Sequence, residues 1–275
     1  MQLTLQNIID TINIIAPFDL AETWDNSGLQ AGNPDWIVTK IMISLDVSME
    51  VMEAAKDWGA DLILTHHPLL ISPEKSFDFG KMPGSVISMA AREKISILSA
   101  HTNLDKAVGG LNDYFARIIG VDNLEAFCAD SLDSPTQEFD DKIQGIGRIG
   151  NLNPVLSLRD LSSQIKERLG LEYVRVTGDL DHTIKKVALC TGSGGSLTDV
   201  FLRSSADVYI TGDIKYHEAR KIEDFNKGLI DVGHFASEII VVDLLTTKLQ
   251  KALPTMGYDI GIKGFKKEKD PFKIV

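Results

Sequence analysis

The chain has 275 residues, of which 44% are hydrophobic and 24% are charged. This composition is typical of folded globular proteins and excludes intrinsic disorder as the main state. Acidic residues outnumber basic residues by 39 to 28, which gives a formal net charge of −11. A surface of that sign repels phosphate backbones, so the composition disfavours general nucleic-acid binding.

Several features predict a cytoplasmic protein. The sequence has no run of about 18 apolar residues, so we expect no membrane span. Its first residues lack the basic start and apolar centre of a secretory signal. The two cysteines, Cys128 and Cys190, exclude a disulfide framework and suit a reducing compartment.

The predicted elements alternate between helices and strands, which favours mainly parallel sheets covered by helices on both faces. Residues 129–141 are acidic and poor in apolar side chains, so we place a domain boundary there. In chain order we expect a helix at 3–16, a loop at 24–32, a strand at 40–45, a helix at 48–58, a strand at 61–65, a loop at 72–84, a helix at 85–94, a strand at 95–100, a helix at 111–119, an irregular glycine-rich piece around 145–150, a helix at 158–169, strands at 173–177 and 186–191, and a last strand and helix within 229–253.

An internal repeat predicts two related domains. Residues 40–45 align without gaps with residues 186–191, and residues 60–65 align at the same offset with residues 206–211. Coincidence is the alternative, because strand–helix–strand units share a composition. We expect the last strand and helix to return to the first domain. The predicted bounds are therefore 1–128 plus 230–275 for the first domain and 129–229 for the second.

Four of the six histidines follow predicted strands, and ligands bind beyond the carboxyl ends of strands in open α/β sheets. The four are His66, His67, His101 and His234. Asp105 and Glu238 each follow a histidine by four residues, which is the spacing of one helical face. Imidazoles and carboxylates together suit Zn²⁺, Mn²⁺ or Fe²⁺. The alternative for any single histidine is an ordinary core or helix-capping role.

The adjacent pair His66 and His67 predicts two metals rather than one. Neighbouring residues that leave a strand point to different sides, so the two imidazoles can serve different ions. The glycine-rich segment 191–196 is a weaker candidate, either for cradling phosphate or for a tight turn between a strand and a helix.

The sequence resembles the Nif-three-like family of GTP cyclohydrolase 1 type 2 homologs, in a short form without an inserted central domain. The resemblance covers nearly the whole chain, and its His-His-Pro and Gly-His…Glu elements are the specific ones. It rests on Trp24-Asp-Asn-Ser-Gly-Leu-Gln30, Leu64-Thr-His-His-Pro-Leu69, Ala100-His-Thr-Asn-Leu-Asp105, Thr211-Gly-Asp213 with His217-Glu218, and Asp231-Val-Gly-His234 with Ser237-Glu238.

This resemblance implies two related α/β domains, a site for two divalent metal ions in the cleft between them, and a ring-shaped homohexamer. The ligands that it implies are His66, His67, Asp105, His234 and Glu238. Five side chains give each of two metals three ligands only when one side chain is shared, and we expect Glu238 to be that bridge. His101 is not a ligand in the family pattern. We assign it as a candidate catalytic proton carrier, with support of a ligand or a structural hydrogen bond as alternatives.

The function expected from this site is metal-dependent hydrolysis. Two metals activate a bridging water and stabilise a developing oxyanion, which suits attack on an electrophilic carbon or phosphorus. The resemblance implies a small-molecule substrate of the nucleotide type. The alternative is a non-catalytic metal-binding protein with a regulatory or scaffold role.

Overall fold

A computed structural model describes residues 2–128 and 145–274 of the chain. It contains two compact units, Met1–Leu104 with Val241–Lys269 and Asp105–Ile240 with Asp270–Val275. The sequence placed residues 105–128 and 230–275 in the first domain, whereas the structure places 105–128, 230–240 and 270–274 in the second unit. The acidic boundary predicted at 129–141 lies outside the described residues.

The first unit is a five-stranded sheet in the order β1-β4-β3-β2-β11, flanked by helices. β2, β3, β4 and β11 run parallel, and β1 is an antiparallel edge. The elements are α1 (Leu5–Ile15), β1 (Gly28–Ala31), β2 (Lys40–Ser44), α2 (Met49–Trp58), β3 (Leu62–Thr65), α3 (Gly84–Glu93), β4 (Ser96–Ser99) and the short α4 (Thr102–Lys106), which crosses into the second unit.

The second unit is a six-stranded mixed sheet in the order β5-β6-β8-β9-β10-β7. Only β8, β9 and β10 pair in parallel among its described strands. Its elements are α5 (Leu111–Ile119), β5 (Val121–Cys128), β6 (Ile146–Ser157), α6 (Leu158–Arg168), β7 (Arg175–Thr177), β8 (Thr183–Ser193), α7 (Thr198–Arg203), β9 (Val208–Gly212), α8 (Tyr216–Asp224), β10 (Gly228–Asp231) and α9 (His234–Glu238). The chain then returns to the first unit through α10 (Val241–Thr255) and β11 (Gly261–Gly264).

Side-chain burial explains both sheets and the shifted boundary. The central strands β3 and β4 are buried along their whole length, as expected for strands covered on two faces. In the second unit, Phe115 and Ile119 of α5 pack in one cluster with Leu161 of α6 and Val187 of β8. Residues 111–119 belong there because this apolar helix face is buried against that sheet.

The two sheets share strand order and register. Met42 pairs with Ile63, and the residues 146 positions later, Ala188 and Tyr209, also pair. The four-strand order β1-β4-β3-β2 corresponds to β7-β10-β9-β8, and each set has an antiparallel edge strand. The repeated segments of the sequence therefore occupy equivalent places in the two sheets.

The predicted α/β fold class is confirmed, with three local corrections. β1 lies inside the predicted loop 24–32 as a short edge strand that begins at Gly28 and is followed by Gly32, and both glycines have a positive φ. The glycine-rich piece around 145–150 is part of the long β6, and β5 was not expected. Within residues 2–128 and 145–274, no helix is long and apolar enough to cross a membrane.

Candidate functional site

Three imidazoles gather at the carboxyl ends of neighbouring parallel strands in the first unit. His66 and His67 directly follow β3, and His101 lies two residues beyond β4. The ring centroid of His66 lies 5.1 Å from the ring centroid of His67 and 5.1 Å from that of His101. The centroids of His67 and His101 are 5.5 Å apart. One ligand atom from each residue lies within 4.8 Å of the other two, so the group is compact enough to hold a metal ion.

Each of these imidazoles has its Nδ1 atom held by an oxygen. His66 Nδ1 lies 2.9 Å from the carbonyl oxygen of Ala100, which can only accept, so this nitrogen carries the hydrogen. His67 Nδ1 lies 2.8 Å from the Asp46 carboxylate. A hydrogen bond at Nδ1 fixes the ring and makes Nε2 the nitrogen suited to metal binding.

His101 is bonded to a buried carboxylate. Its Nδ1 atom lies 2.7 Å from Asp25 Oδ1, and the Asp25 side chain is fully buried. Burial acts to raise the pKa of Asp25. Hydrogen bonds from His101, Thr102 and Ser27 outweigh burial and hold that pKa well below its usual value. Asp25 is therefore an ionised acceptor at neutral pH.

The second unit carries an imidazole–carboxylate pair on one helix. His234 and Glu238 lie one turn apart on α9, and His234 Nε2 is 2.8 Å from Glu238 Oε2. His234 Nδ1 lies 2.8 Å from Asp213, which follows β9. The hydrogen bond to Glu238 is the main cause that raises the pKa of His234 to about 9; burial opposes it, and the Asp213 hydrogen bond adds to it.

Glycines let the backbone approach this pair closely. A Cβ atom on Gly192 would lie 2.1 Å from Glu238 Oε1 and 3.5 Å from His234 Nε2. A Cβ atom on Gly195 would lie 2.8 Å from Glu218. The segment 191–196 thus packs against two carboxylates, which repel phosphate, and its glycines are explained by close approach rather than by a phosphate cradle.

Asp105 lies on α4, at the start of the second unit. Burial raises the pKa of the Cys190 thiol, and the negative charges of Asp105 and Glu238 raise it further, so both carboxylates are close enough to this thiol to act on it. The end of α4 is held by Arg148, which is fully buried and donates to the carbonyl oxygens of Lys106 and Ala107.

The structure brings most of the predicted residues together within each unit. The first unit groups His66, His67 and His101, and the second unit joins His234 to Glu238. Sequence reasoning missed the carboxylates that hold Nδ1 atoms, which are Asp25, Asp46 and Asp213. The rule that led to the histidines could have found Asp46 and Asp213, because each follows a strand directly or after one residue.

The donors in both units fit a divalent metal ion. The four strand-end imidazoles each have their Nδ1 atom bonded to an oxygen, and Glu238 presents a carboxylate that is 4% exposed beside His234 Nε2. Nitrogen and carboxylate oxygen ligands of this kind suit zinc, iron and manganese. Buried carboxylates beside imidazoles have a clear purpose if cations are bound, since the ions offset their charge.

Comparisons with known proteins agree with these observations. The sequence profile of the Duf34/NIF3 family (NGG1p interacting factor 3) matches residues 3–271. A Clostridium perfringens protein named GTP cyclohydrolase 1 type 2 homolog is 35% identical over 271 residues, covering 98% of this chain and 99% of the relative. A Clostridium acetobutylicum protein of the same name is 32% identical, with 100% of both chains covered. The crystal structure of a hypothetical Staphylococcus aureus protein has a TM-score of 0.91 at 26% identity, over 100% of both chains.

Proposed function

Because the chain belongs to the Duf34/NIF3 family, we propose that it is a hydrolase that depends on two divalent metal ions and acts on a nucleotide-like substrate. The names of its relatives support GTP or a related guanine nucleotide as the first substrate to test. The observation that carries the proposal is the set of four strand-end imidazoles, each with Nδ1 bonded to an oxygen.

The residues that would hold the metals are His66, His67, Asp105, His234 and Glu238, with Glu238 shared. Zinc, iron or manganese bound there would supply Lewis-acid activation of water and stabilisation of a developing negative charge. The side chains that hold Nδ1 atoms would keep the ligand rings in one orientation, which preserves affinity.

In this proposal, His101 moves protons. Its Nδ1 hydrogen is donated to Asp25, so Nε2 is the basic atom of the ring. Nε2 would take a proton from the attacking water and return it to the leaving nitrogen or oxygen of the substrate. Its ligand atom lies within 4.8 Å of those of His66 and His67, so the proton carrier lies beside the proposed ligands.

The test combines metal analysis with turnover. Purified chain is loaded separately with Zn²⁺, Mn²⁺ and Fe²⁺, and the bound metal is counted before GTP and other nucleotides are added. We expect two metals for each chain and a ring-opened or hydrolysed product with at least one metal. Full occupancy without turnover on any nucleotide would contradict hydrolysis.

The alternative is a metal-binding protein with a regulatory or scaffold role. Partial exposure of the ligands favours it: the side chains of His67 and His234 are 21% and 36% exposed, which permits exchange with solvent. Rapid exchange of bound zinc with a chelator, in protein that turns over no nucleotide, would support this function over catalysis.

We also propose the homohexamer that the resemblance implies. Light scattering should then give a mass six times that of the 30.2 kDa chain. A stable mass of one or two chains at micromolar concentration would contradict this assembly, without affecting the metal proposal.

A further inference from the structure

The segment Trp24–Gln30 supplies none of the proposed metal ligands, yet it is bonded closely to His101. Asp25 is its second residue, and the side chain is fully buried. Its Oδ1 atom lies 2.7 Å from His101 Nδ1. Its Oδ2 atom accepts from the Thr102 hydroxyl at 2.6 Å, the Thr102 amide at 3.2 Å and the Ser27 hydroxyl at 2.7 Å.

These contacts fix the orientation of the Asp25 carboxylate. Three donors occupy Oδ2, and Oδ1 accepts from the Asn26 amide at 2.7 Å in addition to its contact with the imidazole. An ionised carboxylate only accepts hydrogen bonds, and therefore His101 Nδ1 must be the donor. In a neutral ring, the lone pair then lies on Nε2.

The same segment also fixes the backbone around the imidazoles. The His101 amide donates to the Ser27 hydroxyl oxygen at 3.2 Å. On the other side, Asn26 Nδ2 donates to the carbonyl oxygen of Leu70 at 2.6 Å, and the Leu70 amide donates to Gln30 at 3.2 Å. Residues 24–30 thus bind both the turn that carries His101 and the chain that follows His66 and His67.

We propose that Asp25 is the positioning residue for His101, and that it holds the imidazole in the tautomer with hydrogen on Nδ1 and the lone pair on Nε2. The use of Nε2 in catalysis rests on the proposed function, whereas the tautomer does not. When Nε2 takes a proton from water, Asp25 stays ionised and stabilises the imidazolium that forms. When that proton passes to the leaving group, the neutral ring returns to the same tautomer.

The tautomer is read directly by NMR of the full chain labelled with ¹⁵N-histidine and loaded with Zn²⁺. The spectrum is recorded at about pH 8.5, roughly two units above the ordinary imidazole pKa, and His101→Gln identifies the His101 signals. We expect Nδ1 of the wild-type ring to be protonated and Nε2 unprotonated. In Asp25→Asn the amide can donate to Nδ1, so we expect the ring hydrogen to lie on Nε2 and Nδ1 to be unprotonated. A wild-type ring protonated on Nε2, or an unchanged tautomer in Asp25→Asn, would overturn the proposal.

Thr102→Val separates tautomer control from loop anchoring. This change removes the hydroxyl bond to Asp25 but leaves the Asp25–His101 contact, so we expect the wild-type tautomer and a melting temperature lower by about 2–4 °C. If His101 were protonated on Nε2 in Thr102→Val, any loosening of the loop would be enough to change the tautomer. That result would overturn a specific role for Asp25. Zinc content and GTP turnover of the same samples test the proposed function separately. If the tautomers are as expected but no GTP is turned over, only the proposed hydrolase function is refuted. If GTP is turned over but the wild-type His101 ring is protonated on Nε2, only the role of Asp25 is refuted.

Discussion

The ends of equivalent strands carry different residues in the two units. β3 is followed by His66 and His67, whereas the residues 146 positions later are Gly212, which ends β9, and Asp213, which follows it. Both units use an imidazole held by a carboxylate from a neighbouring strand end. In the first unit the imidazole is His67, and the carboxylate follows β2. In the second unit the carboxylate is Asp213, and the imidazole follows β10.

This difference separates the features that follow from the shared strand order from those that depend on the residues at each strand end. The residues equivalent to His66 and His67 lie at the carboxyl end of β9. The second unit uses glycine there because a Cβ atom on Gly212 would lie 2.6 Å from the His234 amide nitrogen. The turn before α9 approaches the backbone too closely for a side chain at position 212. The second unit therefore has Gly212 and Asp213 in place of the two histidines, and Asp213 bonds to His234 Nδ1.

The largest effect is expected from adding a side chain at Gly192, where the backbone approaches Glu238 closely. Position 192 is glycine where the first unit has Asp46, and its φ is +68°. Gly192→Ala should displace Glu238, cost about 3 kcal/mol of unfolding free energy from backbone strain and overpacking, and abolish most metal binding.

Gly170→Ala is the matched control for this substitution. Its φ is +65°, and among the described residues nothing lies within 4 Å of the added Cβ atom. It should cost about 1 kcal/mol through backbone strain alone and leave metal content unchanged. Equal losses in the two variants, measured by urea denaturation and metal analysis, would show that Glu238 does not depend on Gly192.

The first unit is tested by removing one of its own imidazoles. His67→Ala should remove at least one metal for each chain while lowering the unfolding free energy of the metal-free protein by no more than about 1 kcal/mol, because the side chain lies beyond the strand. His217→Ala, on the exposed surface of α8, is the control and should retain all metal. Full metal retention in His67→Ala would remove this residue from the ligand set.

Supporting carboxylates should have smaller and similar effects in the two units. Asp46→Asn and Asp213→Asn each place an amide against Nδ1, which disfavours the metal-binding tautomer. We expect metal affinity to fall about 10–100-fold in each variant. Asp181→Asn, whose side chain is 82% exposed, should bind metal normally in the same competition titration. A loss in only one unit would mean that the two pairs are not equivalent.

Much of this arrangement follows from local sequence. The helix at 49–58 begins where Ser48 accepts from the Val51 amide and ends at Gly59 with φ 74°, as its capping residues predict. Strands β2, β3 and β4 follow from apolar runs, and the spacing of His234 and Glu238 predicted their shared helical face. The fold class and the five proposed ligands could therefore be predicted from periodicity, spacing and family resemblance.

The remaining features depend on tertiary contacts that short windows do not contain. β6 carries glycines and Arg148, and this residue is buried because it donates to the backbone around α4 and to Asp113. No periodicity signals such a strand. The partnership of Asp25 with His101 spans 76 residues, so only the folded chain reveals it. Unit boundaries likewise depend on which sheet α5 packs against.

The smallest expected effect concerns acid stability, and it sharpens the comparison because the Asp25 side chain that holds His101 Nδ1 is fully buried, whereas the Asp213 side chain that holds His234 Nδ1 is 46% exposed. The folded state depresses the pKa of Asp25 below its reference value of 3.8. A depressed carboxyl pKa adds stability above the unfolded-state pKa, and that stability is lost as the pH falls towards the folded-state pKa. Asp25→Asn should therefore be less stable than wild type by about 1 kcal/mol at pH 7, with the gap closing below about pH 4, since burial offsets part of what the hydrogen bonds contribute. Metal-free protein unfolded by urea between pH 3 and pH 7 measures this gap. Asp213→Asn, at a side chain that is 46% exposed, is measured under the same conditions as the exposed counterpart. A gap for Asp25→Asn that widens towards acid would mean that the carboxylate is not stabilised in its ionised form.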